Sequence, residues 1–204
     1  MIPKGETWPE RYFAVTGDPS FARLGPEERI NAVLGVKAPH DRRFLSQFFE
    51  EDCKLHSFKQ TSPSTSVATF RFRVERYYIN AGGSLHGGAQ SLIYDHLTSL
   101  AIQAVGKPDG WLVPGVSRSL NVTYLRPAPE GTIVLCECEV MAAGKGLALM
   151  RGVMRREDDG RVISTCEHDK AFVQDRTGAK FWTDGKHHSS EEPHFAICSP
   201  HTVQ

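Results

Sequence analysis

HGGAQSLIYDHLTSLAIQAV, residues 86–105, reads as one long, largely apolar helix. Leu92, Ile93, Leu97, Leu100 and Ala101 supply its core face, and the small residues Gly87, Gly88 and Ala89 let its start approach another backbone closely. Upstream, TSVATFRFRVER (65–76) alternates strictly, with Ala68, Phe70, Phe72 and Val74 on one side and Thr69, Arg71, Arg73 and Glu75 on the other. That is the period of a half-buried strand. CKLHSFKQ, before the turn-rich TSPS, is a weaker strand. Downstream come four strand-like runs, about 115–126, 132–142, 147–156 and 161–173, joined by PAPEG, AAGKG and EDDG turns. Strands joined by hairpins pair mostly antiparallel, and a single apolar helix between them is buried by lying across one sheet face. The class is α+β.

The ends read differently. In residues 1–40, Trp8, Tyr12 and Phe13 are mixed with turn residues, and PEERINAVLG then gives a short helix opened by Pro26 and stopped at Gly35. Asp41 caps a second helix, DRRFLSQFFEED, with Phe44, Leu45, Phe48 and Phe49 on one face. Beyond about residue 175 the chain has no period and is rich in polar and turn residues; His187, His188, His194 and His201 recur at no metal-ligand spacing. The expected division is an N-terminal helical extension (1–52), a core domain (53–174) and an irregular C-terminal tail (175–204).

Composition narrows the function classes. The 204 residues carry 24 Lys+Arg against 24 Asp+Glu, with no dense basic block, which argues against nucleic acid or an anionic membrane surface as partner. No window approaches the roughly 18 uncharged apolar residues of a membrane span. Five cysteines are an odd number in a chain too long to need staples, and the opening residues lack a secretory pattern, so a reducing compartment fits: cytosol by default, with mitochondrion or peroxisome open. Cys136 and Cys138 form a lone C-x-C pair whose side chains share one strand face with Val134 and Val140, a core pattern and not a zinc site.

Chemistry concentrates in NAGGSLHGGAQSLIYDHLTS, residues 80–99. Glycines at a helix start leave backbone N–H groups exposed with the helix dipole behind them, which suits a carbonyl oxygen gaining negative charge. Asp95 is an acid flanked by Ile93, Tyr94 and Leu97, where a carboxylate is costly unless paired or used. From His86 to Asp95 the helix rises about 13 Å and turns about 180°, so the two cannot act on one atom within one chain. If both are catalytic, a second copy supplies one of them.

NAGGSLHGG, the acid nine residues after its His, PGVSRSLNVTYLRPAPEG and AAGKGLAL together resemble the hotdog-fold acyl-CoA thioesterases of the PaaI/THEM2 type, over about residues 53–174. The resemblance implies a hotdog fold, with a long helix wrapped by five or six antiparallel strands, edge-to-edge homodimers and often tetramers. It implies hydrolysis of an acyl-CoA thioester to free acid and coenzyme A without a metal or other cofactor. Carried over by residue, the Gly87 N–H polarises the carbonyl, His86 and Asn80 order that end of the site, Asp95 of the second subunit is the general base or nucleophile, and Ser117 holds the water or orients the carboxylate. The Asp95–Ser117 connection is longer than usual through KPDGWLVPG, which makes Trp111 a candidate pocket wall. Gly88, Arg126, Lys145 and Arg151 are the remaining candidates for substrate binding, the three cations for the coenzyme phosphates. Two competing readings use the same fold: an enoyl-CoA hydratase or dehydratase, and a non-catalytic acyl-CoA-binding module.

Overall fold

The alternating run becomes a strand, Thr65–Arg73, with Ala68, Phe70 and Phe72 fully buried and Arg71 and Arg73 outside. A computed structural model describes residues 8–38, 46–107 and 110–173. The strands are β1 (Lys54–Ser62), β2 (Thr65–Arg73), β3 (Val116–Tyr124), β4 (Ile133–Ala143), β5 (Leu147–Arg156) and β6 (Val162–Ala171). All pair antiparallel in one sheet, in the order β1-β2-β4-β5-β6-β3. Each expected strand is present, and the sheet has six.

The helix α3, Gly87–Ala104, lies across the inner face. A row of small residues makes room for it: Ala68, Cys138, Gly152 and Cys166 stand side by side across β2, β4, β5 and β6. Tyr94 drops onto this row. A Cβ on Gly152 would stand 2.6 Å from the Tyr94 ring and 2.7 Å from Cys166 Sγ, so only glycine fits there. The Tyr94 hydroxyl donates to the Ser164 carbonyl at 2.8 Å and accepts the Met154 N–H at 2.9 Å, so its burial leaves no polar atom unpaired. Ile93, Leu97, Leu100 and Ala101 are buried as expected, and Leu92 is half-buried.

Helix α2, Pro26–Leu34, packs on α3 through Ile30 and Val33. Its Arg29 reaches past them to cap the far helix: Nη1 donates to the carbonyls of Ala104 (3.2 Å) and Gly106 (2.6 Å), where α3 has run out of donors. A further helix, α1 (Trp8–Thr16), stands where the sequence reading had only aromatic and turn residues. It stacks Trp8 on Tyr12 and buries Tyr12, whose hydroxyl accepts from Gln103 of α3. Among the helix residues whose burial is described, only Tyr12 is buried, too few for a periodic signal. Of the second expected helix, residues 41–45 lie outside the described residues, while Phe48 and Phe49 form a buried π-helical turn, Phe48–Asp52. The C-terminal segment from 174 also lies outside them.

Candidate active site

The oxyanion end begins at the Gly-rich turn. Asn80 Oδ1 accepts the N–H groups of Gly82 (2.9 Å) and Ser84 (3.3 Å), closing the turn and leaving its amide nitrogen for other partners. His86 is the N-cap of α3, with extended backbone, and its Nδ1 accepts the Gly88 N–H at 2.9 Å. Gly88 therefore spends its donor on the cap. The Gly87 N–H sits at the first helical position, where α3 itself supplies no acceptor. Tyr124, at the end of β3, lies flush on this turn: its hydroxyl donates to the Gly87 carbonyl at 3.0 Å, and a Cβ on Gly87 would meet its ring at 3.3 Å.

The acid end lies two turns along. Ser117 Oγ donates to Asp95 Oδ1 at 2.6 Å, within one chain. Simple alternation back from Leu120, which pairs with His168, would turn Ser117 outward. A bulge at Arg118 adds one residue between Ser117 and Ser119, so Ser117 pairs with Lys170 and faces inward. Arg118 itself goes out and pairs with Asp169 at 3.2 Å.

Four further residues complete this end. His168 Nε2 lies 2.9 Å from Ser117 Oγ and 3.3 Å from Asp95 Oδ1, and its Nδ1 lies 2.6 Å from Thr98 Oγ1. Lys170 Nζ donates to Ser99 Oγ (2.9 Å) and Ser117 Oγ (3.2 Å). His168 is fully buried, and burial, aided by Lys170, holds its pKa down at about 4, so the ring is neutral at pH 7. Thr98 Oγ1 donates to the Tyr94 carbonyl at 2.7 Å and the Ser117 proton goes to Asp95, so the neutral ring's single proton serves either Thr98 through Nδ1 or Ser117 through Nε2.

Thr98, Ser99, His168 and Lys170 escaped the sequence reading. A signal was there: in VISTCEHDKA, alternation carries His168 and Lys170 to the same inner face as Cys166, an unusual place for a cation. Trp111, Lys145, Arg151 and Arg126 make no hydrogen bond to the residues of either end. Trp111 is buried, donates Nε1–H to the Gly144 carbonyl at 2.7 Å and packs on Phe172. Lys145 is exposed in the β4–β5 turn, Arg151 is exposed on the outer sheet face, and Arg126, also exposed, donates to the Val162 carbonyl at 2.9 Å. Among the described residues no group of three or more His, Cys, Asp or Glu is placed to hold a metal.

A long helix laid across one antiparallel sheet is matched in known proteins. The model of the thioesterase superfamily (4HBT) matches residues 82–163. Human acyl-coenzyme A thioesterase 13 is 31% identical over 98 residues, 48% of this chain and 67% of that protein. The chain belongs to the thioesterase superfamily. The mouse acyl-coenzyme A thioesterase 13 is 29% identical over the same length. Zebra fish thioesterase superfamily member 2 shares the fold at a TM-score of 0.60 and 22% identity, covering 74% of this chain and 99% of that one. The E. coli PaaI protein does so at 0.51, covering 60% and 80%. As a thioesterase-superfamily member with the hotdog fold, the protein is a thioester hydrolase. Residues 8–81 of this thioesterase, with α1, α2, β1 and β2, precede the family match.

Proposed function

We propose that the protein hydrolyses acyl-CoA thioesters, and that each site joins the Gly87 end of one subunit to the Asp95 end of a second. The observation that carries this reading is the 2.6 Å bond from Ser117 to Asp95, which aims an inward carboxylate whose side chain remains 34% exposed. The relatives named acyl-coenzyme A thioesterase 13 supply the substrate class.

In this reading Asp95 takes a proton from water, and the hydroxide attacks the thioester carbonyl. The Gly87 N–H, backed by the α3 dipole, stabilises the oxygen that becomes negative. His86 and Asn80 brace that turn. Collapse of the tetrahedral intermediate breaks the C–S bond and releases the coenzyme A thiolate, a good leaving group, so no metal is required. Ser117 positions the base and its water, while His168 fixes Ser117. Gly88, Trp111 and the cations Arg126, Lys145 and Arg151 are assigned to pocket and phosphate contacts.

The second subunit follows from distance and from the sheet edge. Gly87 and Asp95 stand eight residues apart on a straight helix, about 12 Å of rise, too far for one acyl carbon. Strand β3 is an edge, with Val116 47% and Tyr124 51% exposed, and it carries Ser117 at one end and Tyr124 at the other. Pairing of two such edges makes the homodimer, and two dimers a tetramer. The N-terminal segment 1–52 is assigned to a helical extension, 53–174 to the catalytic domain and 175–204 to a tail. The buried, free thiols of Cys53, Cys136, Cys138 and Cys166 support a reducing compartment, the cytosol in this reading.

A thiol-release assay over acyl-CoA chain lengths, beside an enoyl-CoA incubation, tests the reading. Thiol release by the native protein and none by a folded Asp95→Asn variant is expected. Hydration of the enoyl-CoA without thiol release would instead identify a hydratase, and binding without turnover a carrier.

A further inference from the structure

Lys170 is the only lysine buried among the described residues, with 3% of its surface exposed. Its Nζ donates to two serines, Ser99 on α3 at 2.9 Å and Ser117 on β3 at 3.2 Å. Ser99 spends its own proton on the Asp95 carbonyl oxygen at 2.6 Å and so faces Lys170 as an acceptor. Ser117 has one proton and two lone pairs. Lys170 fills one of those lone pairs, and His168 Nε2 stands 2.9 Å from the same oxygen.

We propose that Lys170 is a positioning residue of the hydrolytic site: its ammonium occupies an acceptor position of Ser117, cannot take the Ser117 proton, and so keeps that proton directed at Asp95. The inference rests on the reading of Asp95 as the base. An ammonium suits this task because it has three donors and no lone pair. A neutral amine would offer a lone pair 3.2 Å from Ser117 Oγ, and the proton would then have a further destination.

The arrangement carries its own pH boundary. Asp95 on α3 and His168 on β6 share the inner face with Lys170; Arg118 and Asp169 pair with each other on the outer face, and the β5 neighbour, Ala148, is uncharged. Burial lowers the Lys170 pKa below its ordinary value, and the Asp95 carboxylate opposes that shift. Rising pH therefore neutralises Lys170 before an exposed lysine, and activity falls along an alkaline limb.

Thiol release measured from pH 6 to 10.5 for wild type, Lys170→Arg and Lys170→Met tests this. Lys170→Arg keeps a charge that does not titrate in this range and is expected to lose the alkaline limb. Lys170→Met is expected to lower kcat about tenfold at neutral pH, with KM changed by less than about twofold and no limb, from loss of a charge-assisted bond. Full kcat in Lys170→Met, or a limb unmoved in it, overturns the proposal. Should the larger arginine prevent folding, Lys170→Met still decides. A second measurement is independent of turnover: the Lys170 side-chain NMR titration in wild type and in Asp95→Asn. Its midpoint should fall when the carboxylate is removed, and an unchanged midpoint refutes the coupling. A native protein that shows this shift yet releases no thiol would sink the hydrolytic reading alone.

Discussion

At the residue scale the site turns on where single protons go. Asp95→Asn keeps size and shape but cannot take a proton from water; it is expected to fold normally and lose about 10² to 10⁴ of kcat in the thiol-release assay. Ser117→Ala leaves the base in place without its donor and should lose less, on the order of tenfold to a hundredfold. His168 gives a different readout. Its pKa is depressed to about 4 in the fold, against 6.5 in an unfolded chain. As pH falls below 6.5 the unfolded chain binds a proton that the fold refuses, so stability is lost progressively down to about pH 4, by on the order of 3 kcal/mol. Urea midpoints at pH 7.5 and 4.5 should therefore converge in His168→Gln relative to wild type. Equal acid sensitivity in the two proteins would contradict a buried neutral imidazole. Asp95, Gly87 and His86 were legible as residues because helix position and glycine chemistry are local. Lys170 and His168 were not, because their meaning depends on which strand lies beside β3.

At the scale of elements, two devices place those residues. One is the row of small side chains under α3, which lets Tyr94 seat directly on the sheet. Gly152→Ala forces a methyl group into space held by the Tyr94 ring and Cys166, and should cost about 1–3 kcal/mol, read as a lower urea midpoint. The other device is the bulge at Arg118. Periodicity found β3 within about two residues at either end, since strand length and turn chemistry are written locally. The bulge was hidden, because an extra residue in a register is a property of two strands and not of one. The same reason hid α1. Its fit depends on Gln103 and α2, distant in sequence, more than on any repeat of its own.

At the scale of the whole molecule, the order of strands and the single helix between them were enough to reach an α+β class, while the sheet order β1-β2-β4-β5-β6-β3 required the fold itself. That order sends β3 to an edge, the place where the proposed two-subunit site would form. Complementation tests this directly. Asp95→Asn and Gly87→Val subunits, each inactive alone, should regain activity when refolded together, because one of the two sites in the mixed dimer then has both native halves. No recovery in a mixture proven to contain the mixed dimer would place the whole site inside one chain.

The buried thiols of the core have a practical consequence. Cys53, Cys136, Cys138 and Cys166 are buried, and burial pushes the acidity of the Cys166 sulfhydryl to about 12. A thiol-reactive dye that records liberated coenzyme A will not see these four while the helix stays seated. With the substrate left out, the rate at which the dye consumes them becomes a clock for how often helix and sheet part company.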